Sequence, residues 1–176
     1  MTVTRAFTHV VKSNGGELIS QIGKTADRER FAAPLRRRDG HQRWGFGLFP
    51  LPDDLSYDEM LAAGHDFTEY LQAAGSAQAL TIEMRKPGGA QWGCRWVRYV
   101  VGHPHIAGLP LDVAIEMPSS TLHVSAAEVF DAEEAADLFA AYHQSGDIPA
   151  TYNLRPAAGY GPDGSPIDID DTEPAR

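Results

Sequence analysis

The sequence predicts an α+β fold, in which an antiparallel sheet has two main helices packed on it. Segments of alternating apolar and polar residues follow one another in pairs, and turn signals separate the members of each pair. Only two segments combine a helix-capping signal with helical apolar spacing. The predicted order is hairpin, strand, helix, hairpin, hairpin, helix, strand. This grouping is typical of α+β domains and differs from the β-α-β alternation of nucleotide-binding folds.

The N-terminal part of the chain is predicted to be mainly β-structure. RAFTHVVKS and ELISQIG flank the turn signal SNGG and form a hairpin. The polar, basic segment 25–42 is predicted to form a short helix or an irregular segment, followed by an exposed loop. RWGFGLFPLP is then a strand with Trp44, Phe46 and Leu48 on one face and two glycines on the other. Another backbone or a helix can approach that bare face closely.

The first helix is predicted to begin at Ser56. Ser56 and Glu59 form an S-x-x-E capping box, which satisfies free backbone N–H groups at a helix start. Gly75 is placed as the C-terminal stop. Between the two ends, the apolar stripe consists of Met60, Phe67, Leu71 and Ala74.

Two further hairpins are predicted between the helices. ALTIEMRK and AQWGCRWVRYVV are separated by a Pro-Gly-Gly turn, and LDVAIEM and TLHVS are joined by PSS. Leu80, Ile82 and Met84 occupy one face of the first strand; Trp92, Cys94 and Trp96 share one face of the second. A cysteine between two tryptophans is predicted to be a small buried apolar side chain and not a nucleophile.

The second helix is predicted to begin at Asp131, where a D-x-x-E signal places acids at the positive helix end. It ends at Gly146, and its apolar face consists of Ala135, Leu138, Phe139 and Tyr142. The strand TYNLR follows. Residues 1–169 are predicted to form a single α+β domain, and residues 170–176 a disordered acidic tail.

Composition restricts the class of protein. The chain has 176 residues, a single cysteine and a net charge of −9. It has no secretory signal and no apolar run near the ~20 residues that a membrane span requires, so a cytoplasmic location and no membrane partner are expected. Residues 119–176 carry two Lys/Arg against eleven Asp/Glu. This balance argues against nucleic acid as a partner, and a basic protein surface is its electrostatic complement. The alternative is that the acidic surface only keeps the protein soluble.

The strongest candidate for catalytic or metal chemistry is His103-Pro-His105, which follows a predicted strand. Two imidazoles at this spacing can ligate a metal, with a third ligand from His123, Asp112 or Cys94. The simpler interpretation is a loop with solvated or hydrogen-bonded histidines. We therefore predict no catalytic residue, no metal and no cofactor. A small enzyme that uses His103, His105 or Cys94 remains the alternative.

The densest charge cluster is RRRDGHQR, residues 36–43, which leads into a tryptophan-containing strand. Arginine and exposed aromatic residues are enriched among interface anchors. The alternative is an exposed loop whose charges serve solubility. The predicted partner contacts, from this cluster and from the acidic C-terminal segment, are Arg37, Arg38, Asp39, Gly40, His41, Arg43, Asp163 and Asp168.

The segments RWGFGLFPLP, AQWGCRWVRYVVG and YNLRPAAGYGPDGSPID, together with the size and acidity, resemble the immunity proteins that actinobacteria encode beside secreted polymorphic toxins. Within that class the chain is similar to the immunity factors for tuberculosis necrotizing toxin. The resemblance implies a protein without activity of its own. Such a protein binds the catalytic domain of an NAD⁺-hydrolysing toxin in the producer's cytoplasm, expected at 1:1, and occludes the NAD⁺ site. The alternative non-enzymatic function is a chaperone for a secreted substrate.

Overall fold

The computed structural model describes residues 6–169, and within them the fold is α+β, as predicted. The predicted tail at 170–176 lies outside the described residues. The strands are β1 His9–Ser13, β2 Leu18–Ile22, β3 Gly45–Pro50, β4 Tyr70–Ser76, β5 Ala79–Pro87, β6 Trp96–Gly102, β7 Val113–Met117, β8 Ser120–Val124, β9 Asn153–Tyr160 and β10 Pro166–Ile167. The helices are α1 Glu29–Arg36, α2 Tyr57–Ala62 and α3 Ala132–Ser145.

Eight of these strands form one antiparallel sheet in the order β10-β9-β6-β5-β4-β3-β1-β2. The hairpin β7–β8 is a separate two-stranded sheet. Helices α1 and α3 cover one face of the large sheet, which we call the helix face. The other face carries α2 and β7–β8, and we call it the open face.

The main core lies between the sheet and the helices α1 and α3. Leu80, Ile82 and Met84 of β5 are completely buried there, so their predicted common face is confirmed. Phe46 of β3 packs on Phe139 of α3, with ring centroids 5.2 Å apart. Burial of each side chain of this size stabilises the folded state by roughly 1.5–3 kcal/mol, because its apolar surface is removed from water.

The second predicted helix is confirmed as α3. The Asp131 side chain accepts the backbone N–H of Glu134, and Gly146 ends the helix with φ at +76°. The predicted apolar face is buried. Helix α1 packs beside α3 through buried Phe31, whose ring centroid lies 6.2 Å from that of Phe139. Exposed ion pairs flank this contact, in which Arg28 contacts Glu133 and Asp137 and Arg36 contacts Glu133.

The predicted extent of the first helix is wrong. The Ser56–Glu59 capping box is present, but α2 ends at Ala62, just before Gly64 at φ +71°. The chain then enters β4, in which Leu71, Ala73 and Gly75 are buried in alternation. The distance of four residues between Phe67 and Leu71 imitates helical spacing. Tertiary pairing with β3 and β5 decides the outcome for this short segment.

The predicted environment of Cys94 is also wrong. The sequence places Cys94 on a strand face between two tryptophans, but β6 begins only at Trp96. Residues 90–92 form a 3₁₀ turn between two glycines in the left-handed region, Gly89 and Gly93. Cys94 is therefore a half-buried loop residue, and its Sγ packs directly on Gly159.

Two small clusters cover part of the open face. Met60 and neighbouring apolar residues of α2 pack on Val10 and Leu51. The β7–β8 hairpin packs Ile115 and Val124 on Val100 of β6. The sheet between these two clusters remains uncovered, and this gap forms the cavity described below.

Candidate partner-binding surface

The loop that follows α1 has a fixed conformation. The Asp39 carboxylate accepts the backbone N–H of Arg43 at 2.9 Å and that of His41 at 2.8 Å, and these bonds hold its pKa below the usual range. Gly40 adopts φ +79°, which glycine accommodates without strain. The side chains of His41, Gln42 and Arg43 are consequently exposed on a preformed loop.

The arginines of residues 36–43 differ in burial and in their partners. Arg38 is buried and donates to the carbonyls of Gly45 and Pro34, at 2.6 and 2.9 Å. Arg36 pairs with acids of α1 and α3. Arg37 and Arg43 are exposed, and neither has an acidic partner within residues 6–169.

Trp44 connects this loop to the open face. It precedes β3, and its indole ring packs near Gly15 instead of sharing the face of Phe46 and Leu48, which the sequence predicts for it. Its backbone N–H donates to the Asn14 side chain at 3.0 Å. The ring is half-buried and lines the adjacent cavity.

A cavity of about 420 Å³ lies on the open face, between α2 and β7–β8. Its floor consists of small residues, and its walls are large and apolar. The floor includes Gly45, Gly47, Ala73 and Ala74, and the walls include Trp44, Phe49, Met117 and Leu122. The bare glycine face predicted for β3 is therefore part of an open depression.

A charged network lies at the same cavity. Glu83 is 8% exposed; it accepts Gln72 Nε2 at 2.8 Å and forms an ion pair with Arg98. Burial is the largest single effect and would lower the pKa of Arg98, but Glu83, Tyr160 and Tyr70 together outweigh it and the pKa is raised. The Lys12 ammonium lies 4.9 Å from the ring centres of both Phe49 and Phe67. The surface therefore combines cations with aromatic rings.

The two predicted acidic contacts lie elsewhere. Asp163 is in the turn between β9 and β10, where its carboxylate accepts the hydroxyl and backbone N–H of Ser165. These bonds lower its pKa. Asp168 is exposed just beyond β10. The loop of residues 37–43 adjoins the opposite end of the strands, because Asp39 is bridged to Ser76 at the end of β4. The structure does not bring the two predicted segments together.

The two loop histidines are engaged in hydrogen bonds. Nδ1 of His103 lies 2.8 Å from the Ala127 carbonyl, Nε2 lies 2.8 Å from the Glu134 carboxylate, and the ring stacks on Phe130. Because both partners are acceptors, this geometry suits the doubly protonated ring. Burial opposes that charge, but the bonds to Glu134 and Ala127 outweigh it and raise the pKa of His103. His105 bonds with the loop backbone at the His103 carbonyl.

A scan against protein-family models, a search of curated proteins and a search of solved structures each found no match for the chain. In the part of the chain that the structure describes, no group of three or more His, Cys, Asp or Glu is placed to hold a metal ion. No helix within residues 6–169 has the length and apolar character needed to cross a membrane.

Sequence reasoning found the loop but missed the cavity beside it. A signal for the cavity was present: Glu83 and Arg85 alternate with the core residues of β5, so their side chains had to face the other side of the sheet. The glycines of β3 marked the same face. The full set of walls could not be inferred, because Met117 and Leu122 come from β7–β8, which packs on the sheet only through long-range contacts.

Proposed function

We propose that this chain is an immunity protein that binds the catalytic domain of a secreted toxin and covers its active site in the producer's cytoplasm. The observation that carries the proposal is the preformed loop of residues 37–43, with Arg37, His41 and Arg43 exposed. Ordering a flexible loop on binding costs free energy, and a loop already fixed by Asp39 avoids most of that cost. The resemblance to immunity factors favours an NAD⁺-hydrolysing toxin.

The cavity beside the loop supports the same proposal. Interfaces place a few anchors in desolvated pockets, and Arg and Trp are prominent among them. Arg43 and Trp44 are consecutive, so a partner that contacts the loop also reaches the cavity. The exposed guanidinium would pair with acids of the toxin, and a toxin side chain would enter the depression. In this proposal the chain takes no part in bond making or breaking.

Co-expression with the product of the adjacent reading frame tests the function. We expect growth to be rescued and a 1:1 complex to be recovered with the isolated toxin domain. A chaperone would instead engage a signal or linker region, so binding to the isolated domain separates the two functions. If growth is not rescued and no complex is recovered, the proposal is contradicted.

The proposed surface is tested by charge reversal. Arg43→Glu should weaken the complex by about tenfold or more, because an exposed anchor becomes repulsive. Arg95→Glu is the matched control, since Arg95 is also exposed but precedes β6 at the opposite end of the sheet. Equal effects of the two substitutions would place the interface elsewhere.

A further inference from the structure

The two edges of the large sheet differ in how they are protected. The β10 edge is only two residues long and begins with Pro166, which has no backbone N–H. The β2 edge has five residues, LISQI, without a charge or a proline. Its pairing with β1 is continuous from Leu18 to Ile22. Natural edge strands are usually short, charged, bulged or covered, because an open edge pairs readily with another strand.

The side chains of β2 leave apolar surface exposed on both faces of this edge. Leu18 is 72% exposed and points toward the helix face, since its alternate neighbour Ser20 pairs with the core residue Val11. Ile19 is 47% exposed on the open face. A groove of about 680 Å³ continues from Leu18 between β2 and α1. One added strand would cover both side chains and satisfy the outer backbone groups of β2.

We infer that the occupant of this edge is β2 of a second copy of the chain, paired antiparallel about a twofold axis at Ser20. This register gives five residue pairs, the most that the strand allows, and any other centre gives fewer. It sets Leu18 of one copy opposite Ile22 of the other on the helix face, and Ile19 opposite Gln21 on the open face. An edge that pairs with itself needs no second complementary surface.

Charge favours a second copy as the occupant of this edge. Residues 1–55, which include β2, carry nine Lys/Arg against six Asp/Glu, whereas residues 56–176 carry six against eighteen. Two copies therefore repel each other least through the first part. The groove also contains both signs, with Asp27 and Glu29 beside Arg30, so a twofold arrangement can set acids opposite bases.

Sedimentation velocity of the full chain over about a hundredfold concentration range tests the inference. We expect a reversible shift from 19.1 kDa toward twice that mass. Leu18→Lys should abolish the shift, because it places a charge in the apolar pair. Ile106→Lys is the matched control, since Ile106 is 79% exposed in the loop after β6, which is five strands away from β2 in the sheet. A chain that stays monomeric, or a dimer that survives Leu18→Lys, would overturn the inference.

Crosslinking tests the register independently. Directly opposed antiparallel residues have Cα atoms about 4.5–5.5 Å apart, a distance that a disulfide spans. Ser20→Cys in a Cys94→Ser background should form a covalent dimer on oxidation, whereas Ser13→Cys, at the end of β1, should not. If the chain captures the toxin but does not self-associate, and Leu18→Lys abolishes that capture, the edge is assigned to the toxin and the inference is overturned. Because the dimer does not depend on toxin binding, the growth-rescue result leaves this test unaffected.

Discussion

At the residue scale, the fold depends on a buried ion pair outside the main core. Glu128 is 1% exposed and accepts Arg155 Nε at 2.7 Å, Arg155 Nη2 at 3.2 Å and the Ser125 backbone N–H at 2.8 Å. Removal of one partner from such a pair leaves a charge buried without compensation. We predict that Arg155→Leu lowers the free energy of unfolding by about 3 kcal/mol or more, measured by urea denaturation.

The double variant Glu128→Gln, Arg155→Leu is the control for this prediction. It removes both charges and keeps an acceptor for the Ser125 N–H, so it should recover much of the lost stability. If the single variant loses less than about 0.5 kcal/mol, the pair is no more important than an exposed one.

Two buried histidine rings predict a dependence of stability on pH. The ring centroids of His9 and His143 lie 4.7 Å apart at the sheet–helix boundary. Burial, together with the nearby His143, lowers the pKa of His9 from 6.5 to about 4. Between those pH values the unfolded chain binds a proton that the folded chain does not. The contribution of neutral His9 to the free energy of unfolding is therefore complete above pH 6.5. It falls by about 3 kcal/mol as the pH is lowered toward 4.

His9→Gln isolates this contribution, because glutamine keeps a polar group near the Thr8 hydroxyl but does not titrate. Urea denaturation at pH 6.5 and at pH 4 should give a smaller difference for the variant than for the natural chain. His41→Gln is the control, since that ring is exposed in the loop. Equal pH dependence in His9→Gln and the natural chain would contradict the prediction.

At the scale of elements, the β4–β5 hairpin requires glycine at position 75. Gly75 has φ +124°, and an added Cβ would lie 2.3 Å from the Ala79 carbonyl oxygen. We predict that Gly75→Ala costs more than about 2 kcal/mol, from backbone strain and collision together. Gly64→Ala is the comparison, because Gly64 has φ +71° with open space around it, and it should cost about 1 kcal/mol. Thermal unfolding of the two variants measures the difference.

The same hairpin shows how far the elements could be predicted. The N-terminal caps of α2 and α3 could be predicted from the sequence, because capping is local and depends on a few side chains. The end of α2 and the start of β4 were not, because Leu71 fits a helical stripe as well as a strand face. Its partners in β3 and β5 are distant in sequence or follow a turn. Local signals therefore located helix starts more reliably than helix ends.

At residues 36–43, too, local sequence predicted part of the candidate surface and the path of the chain decided the rest. Composition marked the arginine run, but only the path of the chain after α1 separates buried Arg38 from exposed Arg37 and Arg43. A shift of one residue changes which guanidinium enters the core. The cavity beside the run depends on where β7–β8 packs on the sheet, which no local pattern encodes.

At the scale of the whole molecule, the net charge of −9 predicts how the association rate with the proposed toxin depends on salt. If a basic toxin is attracted by this field, the association rate should fall by about tenfold or more as salt rises from about 0.02 to about 0.5 M, because added ions screen long-range attraction. Stopped-flow mixing with the isolated toxin domain measures the rate. A rate independent of salt would show that the charge serves solubility alone.

The proposed binding surface is tested most directly by hydrogen–deuterium exchange of the full chain, alone and with the isolated domain of the proposed toxin. We predict slowed exchange in residues 37–47, the loop and the first part of β3 at the cavity floor. Exchange in the β9–β10 turn, which holds Asp163, should be unchanged. Protection confined to that turn, or no protection anywhere, would contradict the account.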